Sequence, residues 1–207
     1  RFTITTNGVL LDDEKIDFIN EHMSNVVMSL DGRKEVHDAM RPTINGKGSY
    51  EIVVEKFKKL LEKRGKKDSY IRGTFTGNNL DFHEDVMHYF DLGFQTVSME
   101  PVVTDPKMSY AIREEHLPEV LASYEKLASL YHTRQSLQPE LKFFHFMIDL
   151  TEGPCLAKRR MGCGAGVEYI SVTPFGDIYP CHQFVGETEY RIGSLAEGII
   201  RQDIVAK

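Results

Sequence analysis

Short apolar runs alternate with amphipathic stretches along most of the chain. Runs rich in β-branched and aromatic residues, each closed by turn residues, predict buried strands. They lie near residues 2–6, 25–30, 70–76 and 94–99. Between them apolar residues recur at helical spacing, beginning after the acidic residues 12–14 and again after Ser49. Strands and helices that alternate with short loops are typical of parallel βαβ units, so the pattern predicts an α/β fold.

The helical stretches have recognisable ends. Ser49 is predicted to cap the second helix and Gly65 to end it. The predicted inward face of this helix consists of Ile52, Val53, Phe57, Leu60 and Leu61. Further helices are predicted over residues 82–92 and 113–131, and residues 195–205 also have a helical pattern.

Parallel βαβ units build either an open sheet or a barrel, and in both the carboxyl ends of the strands carry the functional residues. No G-x-G-x-x-G motif follows the first predicted strand. A dinucleotide-binding domain therefore has little support. The residue pattern alone leaves the open sheet and the barrel as alternatives.

The three cysteines of the chain lie in its carboxyl-terminal part. Cys163 and Cys181 flank a predicted β-hairpin whose turn has the sequence PFGD at residues 174–177. A hairpin brings its ends together, and two adjacent thiols in a cytosolic protein favour a metal or iron–sulfur site over a disulfide. Glycines beside Cys163 leave room for a bulky inorganic cluster. The spacing by itself leaves ordinary thiols as the alternative.

The cysteine segment has the spacing Cys163-x12-Gly176-x4-Cys181. This spacing resembles the first half of the SPASM motif, which binds auxiliary iron–sulfur clusters in radical S-adenosylmethionine (radical SAM) enzymes that modify peptides and proteins. The surrounding sequence, GCGAGVEYISVTPFGDIYPCHQFVG, is similar to the maturases that form thioether crosslinks in six-cysteine (SCIFF) peptides. It is also similar to the maturation protein of quinohemoprotein amine dehydrogenase.

The resemblance implies an architecture and cofactors. The predicted strands would be the third to sixth strands of a partial (β/α)6 radical SAM barrel, followed by the start of a SPASM iron–sulfur domain. The implied boundaries are residues 1–135 for the barrel portion and residues 136–207 for the linker and the truncated SPASM portion. The implied cofactors are 4Fe–4S clusters and S-adenosylmethionine (AdoMet).

The resemblance also implies residues that bind AdoMet. Ser29 and Asp31 match the S-x-D segment that lines the AdoMet pocket of that family, and Val102 is a candidate edge for the adenine. Arg41 and Arg72 are alternative candidates to bind the AdoMet carboxylate, because a guanidinium pairs well with a carboxylate. Asp-Gly and Asn-Gly pairs at strand ends are also common turns that need no ligand.

For the metal site, Cys163 and Cys181 are the implied ligands of one auxiliary cluster, and Cys155 is a less certain third ligand. A 4Fe–4S cluster takes about four thiolates, so a further ligand would come from beyond Lys207 or from the substrate. His182 is interpreted as packing beside the cluster.

The histidines suggest no separate catalytic site. His37 and Asp38 are adjacent, so they are not expected to form a dyad; we interpret their segment as a loop beneath the cofactor in which Arg41 pairs with Asp31. The other histidines share no metal-ligand spacing and are interpreted as surface or packing residues: His83, His88, His116, His132 and His145.

Composition argues against two classes of protein, general nucleic-acid binders and proteins that span a membrane. The chain has 31 acidic and 25 basic residues and a net charge of −6, which argues against a general nucleic-acid partner. No apolar run is long enough for a membrane span and no signal peptide is visible. The sequence therefore predicts a cytoplasmic protein.

The implied function is that of a radical SAM enzyme that matures a ribosomal peptide by thioether formation at its cysteines. The implied partners are a Cys-containing precursor peptide and an electron donor such as flavodoxin or ferredoxin. The chain contains no CxxxCxxC motif, and neither this motif nor the glycine-rich AdoMet contact of the family is present; both are expected to precede Arg1. The segment alone is therefore expected to be inactive.

Two alternatives stay open. One is a related radical SAM maturase that acts on sulfatases or on a quinone cofactor. The other is a non-catalytic module that binds zinc or an iron–sulfur cluster, because zinc also accepts thiolate ligands.

Overall fold

The computed structural model describes residues 1–147 and 164–205. These residues belong to two compact units, one within Arg1–Ile148 and the other within Asp149–Lys207.

The first unit is built on a five-stranded parallel sheet with the strand order β1-β2-β3-β4-β5. The strands are β1 (Thr3–Thr6), β2 (Asn25–Ser29), β3 (Asp68–Phe75), β4 (Thr96–Pro101) and β5 (Lys142–Phe143). The first four strands are the predicted ones and are parallel neighbours, which confirms the α/β prediction. The strand β5 was not predicted, because a pair of residues carries no readable alternation.

Helices connect the strands. They are α1 (Asp13–His22), α2 (Lys34–Met40), α3 (Tyr50–Arg64), α4 (Phe82–Asp91) and α5 (Leu117–Leu137). The carboxylate of Asp12 caps α1 by accepting a hydrogen bond from the backbone of Lys15. Gly65 follows α3 with a positive φ of 64°, which is the left-handed conformation that glycine adopts without strain.

Two details of α3 differ from the prediction. Ser49 stands at the N-cap position, but its side chain makes no capping hydrogen bond because the hydroxyl donates to the carbonyl of Arg41 instead. Ile52 is exposed, whereas Val54 is buried. The buried face is centred on Val53 and Phe57, so the position after Val53 lies nearer to the core than the position before it.

The sheet has one apolar face and one polar face. Alternate strand residues and the helices share a single hydrophobic core, whose strand members include Met28, Ile71, Val97, Met99 and Phe143; Leu30, just after β2, also belongs to it. Residues that pair in register on parallel strands project to the same side. The opposite side, here called the polar face, therefore carries the register partners Ser29, Arg72 and Ser98. One step further towards the carboxyl ends it carries Thr74 and Glu100.

The second unit contains a four-stranded antiparallel sheet. Its strands are β6 (Ser171–Val172), β7 (Asp177–Tyr179), β8 (Gly193–Ser194) and β9 (Gly198–Ile199). The predicted hairpin is present as β6 and β7 and lies outside the parallel sheet. Its turn is closed by backbone hydrogen bonds between Thr173 and Asp177 and between Gly176 and Thr173.

The helix predicted over residues 195–205 is wrong. This segment forms β9 and only a short helix, α6 (Gln202–Val205). The reason is local, because Gly198 has a φ of +73°, and a Cβ on Gly193 would lie only 2.0 Å from the Gly198 carbonyl oxygen. This close backbone pairing of β8 with β9 replaces the helical hydrogen bonds.

The predicted boundary between residues 135 and 136 stays a prediction. The sheet of the first unit includes β5 at residues 142–143. Among the described residues, no helix is both long and apolar enough to cross a membrane.

The core beneath the polar face depends on Gly73. A Cβ at this position would lie 2.2 Å from the Tyr89 hydroxyl oxygen and 2.7 Å from the Leu30 carbonyl oxygen. We expect Gly73→Ala to lower the free energy of unfolding by about 2 kcal/mol, a typical cost of overpacking. Urea unfolding measures this. In a Tyr89→Phe background the cost should be smaller because one of the two contacts is gone; equal costs in both backgrounds would contradict the explanation.

Candidate functional site

The polar face is the candidate site because its side chains converge at the carboxyl ends of β2, β3 and β4. Ser29 is half-buried and Arg72 is exposed, and the two are register partners on adjacent strands. Within the described part of the chain, neither the Ser29 hydroxyl nor the Arg72 guanidinium has a hydrogen-bond or ion-pair partner. A hydroxyl and a cation are thus available to a ligand from the same side of the sheet.

Asp31 follows β2 and is almost fully buried, at 3% exposure. Its carboxylate accepts hydrogen bonds from Arg41 Nε at 2.5 Å and from Arg41 Nη2 at 3.1 Å. It also accepts one from the backbone N–H of Thr74 at 3.1 Å. This confirms the predicted Arg41–Asp31 ion pair. It also means that Arg41 already has a carboxylate partner, whereas Arg72 has none among the described residues. The interpretation of the segment before Arg41 as a loop is wrong, because His37 and Asp38 lie in the helix α2.

Asp31 also joins two strand ends. The Leu30 N–H donates to the carbonyl of Arg72 at 3.1 Å, and the Asp31 carboxylate then reaches the amide of Thr74. The pairing of β2 with β3 is thereby extended past Ser29. The distance between Ser29 and Arg72 is therefore fixed by the pairing of β2 with β3 before these residues and by the Asp31–Thr74 hydrogen bond after them.

Val102 is the remaining predicted residue of this group. It is half-buried, and its N–H donates to the carbonyl of Phe75 at 2.9 Å. The residue therefore continues the edge of β4 beyond Pro101. A backbone edge at this position is what the sequence analysis expected for an adenine contact.

A connected set of side chains around Glu100 was not predicted from the sequence. The Ser98 hydroxyl donates to Glu100 Oε1 at 2.5 Å, and His145 Nε2 lies 3.2 Å from Glu100 Oε2. The Tyr124 hydroxyl lies 3.0 Å from His145 Nδ1. Burial would raise the pKa of Glu100, but the hydrogen bonds from Ser98 and His145 outweigh it and lower the pKa. His145 is thus part of a polar network rather than a simple packing residue; the Ser-x-Glu alternation on β4 was the available signal.

A second ion-pair cluster fixes the loop between β2 and α2. The Arg33 backbone N–H and side-chain Nε both donate to Asp85, at 2.9 and 2.8 Å. Burial raises the pKa of Asp85 although these bonds oppose it. Gly32 has a φ of +132°, and a Cβ there would lie 2.4 Å from the Asp85 carboxylate. The glycine is therefore required where the chain leaves Asp31.

The cysteine site is described only in part. Cys181 is buried at 5% exposure, and its Sγ lies 3.5 Å from His182 Nδ1. Gly166 donates to the carbonyl of Pro180 at 3.0 Å, so the described segment that begins at residue 164 lies beside Cys181. The predicted ligands Cys155 and Cys163 lie outside the described residues. Within residues 1–147 and 164–205, no group of three or more His, Cys, Asp or Glu residues is placed to hold a metal ion.

A cavity of about 630 Å³ lies elsewhere, at the amino ends of the strands. Its lining includes Asn25, Asp68, Thr96 and Lys142. None of the predicted AdoMet residues lines it. This is the opposite end of the sheet from the one where parallel α/β folds carry their functional residues.

Comparisons with known proteins relate the chain to maturation enzymes, although it matches no family model. It is 26% identical over 205 residues to the cysteine-type anaerobic sulfatase-maturating enzyme of Clostridium novyi (strain NT), covering 95% of this chain and 53% of that protein. It is 24% identical over 206 residues to the antilisterial bacteriocin subtilosin biosynthesis protein AlbA of Bacillus subtilis (strain 168), covering 94% and 40%. The chain thus spans about half the length of the relatives it matches.

Solved structures agree on the fold. The structure of native anSMEcpe with bound AdoMet matches with a TM-score of 0.73 at 20% identity, covering 98% of this chain and 56% of that one. Streptococcus suis SuiB bound to S-adenosylmethionine matches with a TM-score of 0.63 at 16% identity, covering 96% and 46%. The chain therefore has the fold of about half of these maturase structures, as the sequence analysis predicted.

The Arg41–Asp31 pair generates a stability prediction. Arg41→Ala leaves the buried Asp31 carboxylate with only the Thr74 amide, so we expect the free energy of unfolding to fall by about 2–3 kcal/mol, somewhat less than for a fully buried pair. Arg41→Lys keeps the charge but loses the two-point contact, so its cost should be smaller.

Urea unfolding measures both effects, with Arg113→Ala as a control for the loss of an arginine elsewhere. A cost for Arg41→Ala no larger than that of the control would show that the pair does not stabilise the fold.

Proposed function

We propose that this chain is part of a radical SAM maturase that uses AdoMet to modify a peptide or protein substrate. The observation that carries the proposal concerns Ser29, the last residue of β2, and its register partner Arg72 on β3. Neither side chain has a hydrogen-bond or ion-pair partner among residues 1–147 and 164–205. The two residues occur in a fold shared with the AdoMet-bound structures.

The described residues fit the polar groups of AdoMet. Ser29 would hydrogen-bond the ribose, and Arg72 would bind the α-carboxylate through two parallel hydrogen bonds. Arg41 is assigned a different role because it is already paired with Asp31. Asp31 would act by keeping β2 and β3 in register rather than by offering a free carboxylate. The backbone at Val102 would contact the adenine.

The substrate is proposed to be a ribosomal peptide, with thioether formation at its cysteines as the reaction. The support is the similarity of the Cys163–Cys181 segment to the SCIFF-type maturases. A second candidate is sulfatase maturation, which the names of two sequence relatives favour. Tandem mass spectrometry of the product distinguishes them, because a thioether crosslink joins two residues and consumes a cysteine thiol, whereas oxidation of a single serine or cysteine side chain joins none; the loss of two hydrogens alone would not decide.

The second unit, which contains the three cysteines of the chain, is proposed to bind an auxiliary 4Fe–4S cluster. Its ligands would be Cys163 and Cys181, with Cys155 as a third. When bound, such a cluster would accept an electron or hold the thiolate of the peptide. Cys181 fits this role because it is buried and the glycine-containing segment at residues 164–166 lies beside it. We also propose that flavodoxin or ferredoxin supplies electrons and that the protein acts in the cytoplasm.

Titration calorimetry with AdoMet tests the pocket in the full-length protein. Arg72→Ala should weaken AdoMet binding by about 10-fold to 100-fold, because a charged hydrogen bond contributes about 1.5–3 kcal/mol. Arg72→Lys should have a smaller effect, and Ser29→Ala should weaken binding several-fold.

Lys66→Ala is the control: it removes a cation at the amino ends of the strands and should leave the affinity for AdoMet unchanged. Unchanged affinity in both the Arg72 and the Ser29 variants would place the AdoMet pocket elsewhere.

Iron and sulfide analysis after anaerobic reconstitution tests the cluster assignment. Cys181→Ala and Cys163→Ala should each lower the iron content by the equivalent of one cluster, because each removes a thiolate ligand. His182→Ala should leave the iron content unchanged if His182 only packs beside the cluster. Full iron content in both cysteine variants would rule out the assignment.

A further inference from the structure

A closed ring of hydrogen bonds lies just past the carboxyl end of β2 and consists of Asp31, His37, Ser49 and Arg41. The Asp31 N–H donates to His37 Nδ1 at 3.2 Å, and His37 Nε2 lies 3.0 Å from Ser49 Oγ. Ser49 Oγ donates to the Arg41 carbonyl at 2.5 Å. The Arg41 guanidinium completes the ring by donating to the Asp31 carboxylate. His37 and Ser49 are 1% and 2% exposed, so water does not substitute for these bonds.

The ring determines the tautomer of His37. A backbone N–H can only donate, so Nδ1 must carry the lone pair that accepts from Asp31. A carbonyl can only accept, so the Ser49 hydroxyl uses its hydrogen on Arg41. Nε2 must therefore carry the proton and donate to Ser49. Only a neutral His37 protonated on Nε2 satisfies all members of the ring.

We propose that His37 is a positioning residue for the AdoMet pocket, and that the pocket is correctly formed only while His37 is neutral. The inference rests on the proposed AdoMet site. The neutral ring holds the Asp31 backbone and the Arg41 side chain, and through them the Asp31–Thr74 hydrogen bond. That bond sets the spacing between the ends of β2 and β3, where Ser29 and Arg72 would contact AdoMet.

Protonation of His37 breaks the ring at one defined point. A proton on Nδ1 would face the Asp31 N–H, so two donors would oppose each other and the hydrogen bond would be lost. The charged groups around the ring are the carboxylates of Asp31 and Asp38 and the cations of Arg41 and Lys34. The ring of Tyr50 packs against His37 with the centroids 6.1 Å apart.

The direction of the pH effect follows from the surroundings. Burial lowers the pKa of His37 below its ordinary value of 6.5, although Asp31 opposes this. His37 is therefore neutral above pH 6.5, and the ring is intact there. As the pH falls below 6.5 towards the lowered pKa, His37 gains a proton and AdoMet affinity should decrease.

A purely structural histidine would behave differently. Its replacement would change the free energy of unfolding without altering the pH dependence of AdoMet binding. His88 is the matched control, because it also has a pKa lowered by burial. It contacts the Tyr50 hydroxyl at 2.5 Å and is not a member of the ring.

The test is the dissociation constant of AdoMet between about pH 5 and pH 8 in the full-length protein. The wild type should bind with constant affinity above pH 6.5 and more weakly below it. His37→Asn keeps an acceptor near the Asp31 N–H but does not titrate, so it should lose this pH dependence. His37→Leu has no acceptor and should bind about fivefold more weakly at every pH, the equivalent of one buried hydrogen bond. His88→Asn should retain the wild-type profile.

The outcomes separate the two proposals. Wild-type pH dependence in His37→Asn would overturn the role of His37 while leaving AdoMet binding intact. Absence of AdoMet binding to the wild type at every pH would overturn the proposed function and this inference with it. If His37→Leu does not fold, as judged by circular dichroism, the comparison of His37→Asn with His88→Asn decides.

Discussion

The buried carboxylate of Asp31 is the constraint on which the candidate site depends. An ionised group with 3% exposure is stable only when the protein replaces its lost hydration. Arg41 and the Thr74 amide provide that replacement. Because the donors come from the α2–α3 region and from β3, satisfying one carboxylate fixes three segments at once. The position of Ser29, two residues before Asp31, is a consequence of this arrangement.

Contacts on the apolar side of the sheet also fix the chain between Ser29 and Asp31. The Tyr89 hydroxyl donates to the carbonyl of Leu30 at 2.5 Å, so the residue between Ser29 and Asp31 is held on the apolar face. Gly73 is required beside this hydrogen bond because any side chain there would clash with the Tyr89 hydroxyl and with the Leu30 carbonyl. Ser29 and Arg72 are therefore held by a packed parallel sheet, as is expected for preorganised binding sites.

The parts of the fold that could be predicted are those encoded by local periodicity. The apolar runs predicted β1 to β4, because long buried strands have a clear signal, whereas the order of these strands in the sheet was implied only by the family resemblance. β5 and β9 have too few residues for such a signal, and Gly198 overrode a helical pattern through its backbone conformation. The Arg41–Asp31 pair could be predicted because the two opposite charges lie only 10 residues apart in the sequence, on either side of α2. The Glu100–His145 contact was not, because it joins positions 45 residues apart that only the pairing of β4 with β5 brings together.

The Glu100 network also explains why Arg72 forms no ion pair within the described part of the chain. Glu100 and Arg72 project from the same face of adjacent strands, so an ion pair between them would be the simplest arrangement. Instead the hydroxyl of Ser98 and the ring of His145 hold the Glu100 carboxylate. Arg72 still helps to lower the pKa of Glu100 through space, but as a weaker influence than either hydrogen bond. Two opposite charges thus stand on one surface without forming an ion pair, and among the described residues the Arg72 guanidinium keeps the free donors that the proposed AdoMet site requires.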